Sequence, residues 1–200
     1  MVPRISLSVR TERRQQILDA AWRCASHKGF RAMSVDEICA EAGLSKGAFY
    51  GYFESKQALL LALLADDAEA LDRIVERLES DSLSSVDRLR QFVRAMLGRG
   101  DDPARVQVRA DLWAEMLTDK AVRERFTATV RHRRMLLRAW VERAIADGEL
   151  VEIPANAFAA VLLALSDGLI LHGGLDPSGF RWTNIRKAVD VLLERLSGHA

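Results

Sequence analysis

The sequence predicts an all-α fold, with a small three-helix domain at the N-terminus and a helical bundle in the rest of the 200 residues. Three observations support this prediction. Apolar residues recur at helical spacing almost throughout, and no stretch alternates polar and apolar residues for long enough to indicate a strand. Capping residues, glycines and prolines divide the chain into segments of helical length. With 49% hydrophobic residues, the chain can bury a sizeable core as one or two domains.

The first helix is expected from about Thr11 to Lys28, after an N-terminal arm of residues 1–10 that is expected to be disordered. A second helix begins near Ser34, because Ser34 and Glu37 have the spacing of a capping box that satisfies the free amides of a helix start. Gly43 supplies the left-handed residue that ends this helix. Its buried face consists of Val35, Ile38, Cys39 and Ala42.

A third helix begins after Ser45, whose hydroxyl can cap it. Phe49 and Phe53 recur one helical turn apart and are expected to point into the core. Two short helices joined by a tight glycine turn form a helix-turn-helix, in which the second helix inserts its N-terminal residues into the major groove of DNA. Ser55 and Lys56 open the next helix, where free amides and an ammonium group suit a phosphate. The outward residues of the third helix are Ser45, Lys46, Gly47, Ala48 and Tyr50.

The remaining sequence predicts six further helices. The first of them, from Ser55 to about Glu79, has a long apolar stripe and is expected to bridge two domains, which we place at residues 1–54 and 55–200. Polar, glycine-containing or proline-containing breaks separate the others. These are expected at about 85–97, 103–117, 119–146, 155–173 and 182–196.

The net charge of +1 is unevenly distributed. Residues 1–60 carry nine Lys or Arg against six Asp or Glu, whereas the remainder carries 20 against 22. The basic excess coincides with the helix-turn-helix, and because it is modest, DNA specificity must come from positioned contacts. The N-terminus lacks an apolar stretch of signal-peptide length, and the chain has no run of eighteen apolar residues. A cytoplasmic protein without a membrane span is therefore expected.

The segment from Arg10 to Leu63 resembles the DNA-binding domain of the TetR family of bacterial transcriptional repressors. The resemblance rests on Gly29-Phe30, on the run from Ser34 to Gly43, and on Ser45-Lys46-Gly47 followed by Tyr50-x-Tyr52-Phe53-x-Ser55-Lys56. Two positions depart from the family pattern. Cys39 replaces a common alanine, and Gly51 replaces a frequent histidine, which removes a contact to the DNA backbone.

The resemblance implies a set of DNA contacts. Tyr50 would lie at the groove and Tyr52 would reach a phosphate, but either ring could instead complete the core. Lys46 could contact the groove or a phosphate, or remain a solvated charge. The residues implied in DNA binding are Ser34, Ser45, Lys46, Gly47, Ala48, Tyr50, Tyr52 and Lys56.

The last two helices predict a dimer. The helix at 155–173 is apolar on more than one face, and the last helix carries a narrower apolar stripe. In the resembled family these helices pair with their symmetry mates, so the operator would be an inverted repeat of double-stranded DNA. The alternative is that both helices complete the core of the monomer. The interface residues are expected to be Phe158, Val161, Leu162, Leu165, Leu169, His172, Ile185, Val189, Leu192 and Leu196.

The resemblance also implies a pocket for a small-molecule effector in the C-terminal domain, where binding would move the fourth helix. Arg109 and Arg133 could meet an anionic ligand there, but both are expected to be exposed to solvent. Large or polarisable side chains on the middle helices are candidates for lining the pocket, although each could be ordinary core. They are Phe92, Met96, Trp113, Met116, Phe126 and Trp140.

Other functional classes have weaker support. The chain has no nucleophile elbow, zinc-protease motif or glycine-rich phosphate loop, so an enzyme is not expected. Neither a cofactor nor a metal site is expected, since the four histidines are scattered. Cys24 and Cys39 leave open a DNA-binding thiol sensor, although two cysteines in a cytosolic chain are more often small buried hydrophobes. A helical protein-interaction module without an operator is the remaining alternative.

Overall fold

A computed structural model describes residues 7–197, except for the side chains of residues 103, 104 and 112. Within this range the chain is helical, and its only β-type pairing is a single bridge between Leu150 and Ser197. The all-α prediction is therefore confirmed. The helices are α1 (Leu7–Ala32), α2 (Val35–Ala42), α3 (Lys46–Tyr50), α4 (Lys56–Ser80), α5 (Ser85–Gly98), α6 (Pro103–Thr118), α7 (Lys120–Ala146), α8 (Ala155–Leu175) and α9 (Trp182–Arg195), with a short 3-10 turn at Arg99–Asp101.

The start of α1 corrects one prediction. Residues 7–10, assigned to a disordered arm, form the first helical turn, because Ser8, Val9 and Arg10 continue without a break into a segment rich in good helix formers. The rest of the predicted arm lies outside the described residues. At the other end, the backbone leaves the helix at Gly29, where φ is 79° and ψ is 162°. The expected end at Lys28 is therefore confirmed as a sharp kink.

The predicted caps of the helix-turn-helix are confirmed. Ser34 Oγ accepts a hydrogen bond from the Glu37 amide at 3.2 Å, and the Glu37 carboxylate accepts one from the Ser34 amide at 2.8 Å. Gly43 has a φ of 63° and ends α2 in the left-handed conformation. Ser45 Oγ accepts the Ala48 amide at 3.2 Å and so begins α3. These local features fix where α2 begins and ends and where α3 begins.

The N-terminal core extends beyond the predicted domain boundary at residue 54. Ile17 and Leu18 of α1, Ile38 of α2 and Phe49 of α3 are buried in one cluster. This cluster also includes Leu59, Leu60 and Leu63 from the first turns of α4, and Val108 from α6. The later α4 residues Leu71, Val75 and Leu78 instead join the core of the C-terminal bundle. Helix α4 thus belongs to both cores, as its apolar stripe predicts.

The C-terminal bundle has a closed core formed by α4, α5, α7, α8 and α9. Phe92 and Trp140 are buried at its centre, with ring centroids 5.9 Å apart in an edge-to-face arrangement, and Met96 is buried in the same cluster. These side chains fill the interior. Phe92, Met96 and Trp140, three of the six residues predicted to line the effector pocket, are therefore explained by core packing alone.

Helix α8 is the one helix in the described range that is long and apolar enough, by length and composition alone, to cross a membrane. Its packing is that of a bundle helix. Leu162, Leu163 and Ile170 are buried inside the protein, and Asp167 forms an ion pair with Arg109 of α6.

Candidate nucleic-acid interface

Helix α3, the recognition helix, presents an exposed ridge on a rigid base. Phe49 is buried, and its ring packs edge-on against Tyr50 with the centroids 5.4 Å apart and in a tilted arrangement against Phe53 with the centroids 5.8 Å apart. Tyr50 nevertheless leaves 47% of its surface exposed. The contact with Phe49 orients a tyrosine ring that stays accessible, which suits a residue that binds an external partner.

The glycine of the recognition helix has no internal packing role. A Cβ added at Gly47 would meet no atom within 4 Å, so the residue lies on an open surface. Its small size leaves room for another backbone to approach closely, as a DNA phosphate does in a groove contact. At Gly51, by contrast, an added Cβ would lie 3.2 Å from the carbonyl oxygen of Ala48.

Lys46 is the exposed cation at the start of the recognition helix. Its ammonium lies 2.9 Å from Asp36 Oδ1 of α2. The hydrogen bond and the negative charge of Asp36 raise the pKa of Lys46, so the lysine is positively charged at neutral pH. Because both side chains are well exposed, the pair is weak and the ammonium can exchange Asp36 for a phosphate oxygen.

Lys56, in contrast, is bound within the protein. Its ammonium donates to the carbonyl oxygen of Arg31 at 2.9 Å and lies 5.0 Å from the centre of the Phe30 ring. Burial lowers its pKa. Lys56 therefore fastens the end of α1 to the start of α4, and it can reach a phosphate only by giving up these contacts.

The residues predicted to contact DNA fall into an exposed group and a partly buried group. Ser34, Ser45, Lys46, Gly47 and Tyr50 are exposed, whereas Ala48, Tyr52 and Lys56 are partly buried. Tyr52 packs against the N-terminal core. Ser34 caps α2, Ser45 caps α3, and Lys46, Gly47 and Tyr50 lie on α3. The ion pair between Lys46 and Asp36 joins the start of α3 to the start of α2.

Charged pairs hold this surface in place. Lys28 of α1 pairs with Glu37 of α2, and Arg23 pairs with Glu41 at 2.5 Å. The hydrogen bond from Lys28, followed by those from Ser34, lowers the pKa of Glu37 to about 2. Glu37 therefore acts both in the capping box and in the contact between α1 and α2.

The candidate thiol sensor has little physical support. Burial is the main cause that raises the pKa of both Cys24 and Cys39, and nearby carboxylates raise it further. A redox-sensing cysteine needs the opposite, because the thiolate is the reactive form. The small-hydrophobe interpretation fits these residues better, since Cys39 is buried in the N-terminal core.

A second candidate site lies in the C-terminal bundle. Trp113 and Phe126 approach with ring centroids 6.3 Å apart and line a cavity of about 320 Å³, the large cavity, between α6, α7 and α8. Of the other predicted pocket residues, Met116 is buried in a small cluster beside Phe126. The structure therefore places only part of the predicted set at a cavity.

Arg109 and Arg133 correct the expectation of solvent exposure. Both are largely buried, together with Arg99 of the 3-10 turn and the carboxylates of Asp67 and Asp167. We call these five residues the arginine cluster. One feature of the sequence pointed to this cluster, because Arg109 and Arg133 lie on the helices that carry the candidate pocket residues. Their burial depends on contacts between distant helices.

The predicted dimer surface is partly exposed. Val161 of α8 is 57% exposed and Leu192 of α9 is 59% exposed, and Leu165 and His172 are exposed as well. Phe158, Leu169, Ile185 and Leu196 are partly buried. Leu162 and Val189 correct the prediction, because both are buried in the core of the monomer. The remaining apolar side chains form a surface that a second subunit can cover.

The fold and the exposed recognition helix define a helical DNA-binding protein, and comparison with known proteins gives its family. The family model of bacterial regulatory proteins of the TetR family matches residues 17–63, and a model of the C-terminal domain of BetI-type transcriptional repressors matches residues 85–198. The chain belongs to the TetR family. It is a DNA-binding transcriptional regulator and not an enzyme.

Individual relatives agree with this assignment. The chain is 26% identical over 197 residues to the transcriptional repressor AcnR of Corynebacterium diphtheriae, covering 96% of each protein. Among solved structures, a transcriptional regulator of Saccharomonospora viridis in complex with choline has a TM-score of 0.84 at 23% identity, covering 94% of this chain and 98% of that one. A TetR regulator of Haloarcula marismortui has a TM-score of 0.83 at 19% identity, covering 94% and 99%.

Proposed function

We propose that this regulator is a cytoplasmic repressor that binds an inverted-repeat operator as a homodimer and is released by a small-molecule effector. The observation that carries the DNA-binding part is the exposed ridge of the recognition helix, formed by Ser45, Lys46, Gly47 and Tyr50 over the buried Phe49. Lys46 contacts a phosphate or a base edge, Tyr50 enters the groove, and Gly47 allows the DNA backbone to approach. Ser34, Ala48, Tyr52 and Lys56 support this contact at its margin.

The homodimer is supported by the exposed apolar side chains of α8 and α9. A single short recognition helix contacts few base pairs, so two copies related by a twofold axis are needed for tight and specific binding. Val161, Leu165 and Leu192 provide the apolar surface for this pairing. The two recognition helices then read the two halves of a palindromic site.

The effector site is supported by the large cavity between α6, α7 and α8. Its lining includes the aromatic side chains of Trp113 and Phe126 together with the polar groups of Arg134 and Asp167. An apolar cavity with a few polar groups is the usual form of a small-molecule site. A regulator of Saccharomonospora viridis with a similar fold forms a complex with choline, which supports a small-molecule effector for this chain as well.

The test begins with selection of bound sequences from random DNA by the purified full chain, followed by footprinting of the selected site at fixed salt. A protected inverted repeat is the expected result. The double variant Lys46→Ala, Tyr50→Ala is then expected to bind that site about tenfold or more weakly. Lys120→Ala, which removes an exposed cation from α7, is the control and is expected to bind as the wild type does.

Two outcomes would contradict the proposal. Selection of a single half-site that is bound by a monomer would contradict operator binding as a homodimer. Unchanged specific binding by the double variant would show that another surface reads the DNA.

A further inference from the structure

Arg133 of α7 is a buried cation whose polar atoms are not all used. The residue is 7% exposed, and its Nε and Nη2 atoms have no hydrogen-bond partner within the described part of the chain. Leaving a buried donor unpaired is costly, and the cost is larger for a charged group. Native structures contain few such groups, and each calls for an explanation.

The neighbouring carboxylates are engaged with other arginines. Asp67 Oδ1 lies 2.9 Å from Arg99 and 2.5 Å from Arg105, and Asp167 Oδ1 accepts a hydrogen bond from Arg109 at 2.6 Å. Asp67 is thus shared between Arg99 and Arg105, and Asp167 is engaged by Arg109. Among the residues that the structure describes, Arg133 has no ion pair with either carboxylate, and two of the three orphaned buried donors belong to it, the third being Arg99 Nη1.

The pKa shifts in the arginine cluster also indicate that the positive charge of Arg133 is poorly compensated. Burial, and then the positive charge of Arg109, lower the pKa of Arg133. Burial also lowers the pKa of Arg99, to about 10. Both shifts mean that the surroundings oppose the positive charge. An additional negative charge at this point would relieve that opposition.

Two cavities share Phe126 as part of their lining. A small cavity of about 30 Å³ is lined by Arg133, Arg109 and Phe126. Phe126 also lines the large cavity of about 320 Å³, whose other walls include Trp113, Leu163 and Leu171. The small cavity has about the volume that one water molecule occupies in the liquid, so it can take a carboxylate oxygen and not an organic group. The large cavity can hold an apolar body.

We propose that the effector of this regulator is a small organic anion, whose carboxylate binds Arg133 and whose apolar body fills the large cavity beside Trp113 and Phe126. This proposal rests on the effector-released repressor proposed above and names the chemical class of its ligand. A carboxylate oxygen in the small cavity would give Arg133 a charged hydrogen-bond acceptor, and guanidinium groups bind carboxylates strongly because their donors form a planar fork. A cationic ligand at Arg133 would add a second positive charge without a bonded counter-charge and is disfavoured by the same argument.

The test uses the full chain and a pair of probes with one skeleton and opposite charges, 4-phenylbutyrate and 4-phenylbutylamine, with octanoate as a second carboxylate. Binding is measured by calorimetry. At least one carboxylate is expected to bind the wild type, about tenfold or more tightly than the amine. Arg133→Met is expected to lose about tenfold or more of the carboxylate affinity. Arg131→Met, at an exposed position on the same helix, is the control and is expected to retain it.

A stability measurement separates a ligand site from a structural role. Without probe, Arg133→Met is expected to unfold at the same temperature as the wild type or higher, because it removes an uncompensated buried charge. Arg133→Lys keeps the charge but loses the planar fork, so its carboxylate affinity is expected to lie between those of the wild type and Arg133→Met.

The anion proposal is wrong if neither carboxylate binds at about 10 mM, a concentration at which even a ligand with a millimolar dissociation constant would be largely bound. It is also wrong if the amine binds as tightly as the carboxylates or more tightly. Unchanged carboxylate affinity of Arg133→Met, or marked destabilisation of that variant without probe, would overturn it as well. The selected operator distinguishes this failure from failure of the proposed function. If the wild type binds the operator but no carboxylate, only the anion proposal fails. If a carboxylate binds through Arg133 without weakening operator binding, the ligand class stands and release by an effector fails.

Discussion

Val108 and Arg109 are adjacent in α6 but belong to different domains. Val108 is 1% exposed and packs in the core of the DNA-binding domain, whereas Arg109 donates a hydrogen bond to Asp167 of α8 at 2.6 Å. Successive residues of a helix point about 100° apart, so α6 can contact both domains at once. A ligand that displaces Arg109 would therefore act on the same helix that completes the N-terminal core.

The first prediction concerns this core contact. Val108→Ala is expected to lower the free energy of unfolding by about 2 kcal/mol, because it removes buried methyl groups and leaves a cavity between α6 and the N-terminal helices. Urea denaturation followed by circular dichroism measures the change. Val151→Ala, at a position that is exposed, is the control and is expected to change the stability little. Equal effects of the two substitutions would show that α6 does not stabilise the N-terminal domain through Val108.

The kink at Gly29 is the second place where α1 and α6 meet. Its φ and ψ lie in a region that is almost exclusive to glycine, and an added Cβ would lie 2.9 Å from Gln107 Nε2 and 3.1 Å from Asp111 Oδ2. Asp111 also accepts a hydrogen bond from the Arg31 amide at 3.1 Å. The contact therefore has no room for a side chain.

We expect Gly29→Ala to destabilise the protein by roughly 1–3 kcal/mol, since it adds backbone strain to a steric conflict. Thermal and urea unfolding measure this loss. The matched control is Gly98→Ala, because Gly98 lies in helical conformation and an added Cβ there meets no atom within 4 Å. That control is expected to be neutral or slightly stabilising. A stable Gly29→Ala variant would mean that α1 and α6 can separate at no cost.

Much of the N-terminal domain follows from local signals. The capping box of Ser34 and Glu37, the left-handed Gly43 and the cap at Ser45 each involve residues within a few positions of one another, so the sequence alone predicts them correctly. The inward direction of Phe49 follows from helical spacing in the same way. Such features are decided by the chain near each residue and change little with tertiary contacts.

Features that depend on distant helices were predicted poorly. Arg133 lies in the run Arg131 to Arg134, which by composition suggests a solvated face, but the packing of α7 against α4, α6 and α8 buries that one arginine. Leu162 and Val189 share the apolar character of their exposed neighbours, and only the packing of the bundle shows that they face inward. Periodicity identifies apolar faces without showing which partner covers each face.

The third prediction follows from the low pKa of Glu37. Its pKa of about 2 in the folded protein lies below the ordinary value of 4.5, because Lys28 and Ser34 stabilise the carboxylate. Glu37 therefore contributes stability that is fully present above about pH 4.5 and is lost as the pH falls towards 2. Glu37→Gln removes this titration.

The stability difference between the wild type and Glu37→Gln is thus expected to be constant near neutral pH and to shrink steadily below about pH 4.5. Urea unfolding at a series of pH values measures it, and Glu76→Gln, at an exposed position on α4, is the control. A difference that stays constant down to pH 3 would show that the carboxylate is not stabilised by Lys28 and Ser34.

The last prediction concerns the exposed apolar surface of α8 and α9. Leu192→Asp places a charge on a side chain that is 59% exposed in the monomer, so it should leave the fold intact and yet oppose burial against a second subunit. If this surface forms the dimer, the variant is expected to sediment as a monomer at micromolar concentrations where the wild type is a dimer. Its binding to the inverted repeat should weaken strongly, because the two recognition helices are no longer linked. Leu117→Asp changes a more exposed leucine on α6 and should remain dimeric. A dimeric Leu192→Asp variant would place the subunit interface elsewhere on the protein.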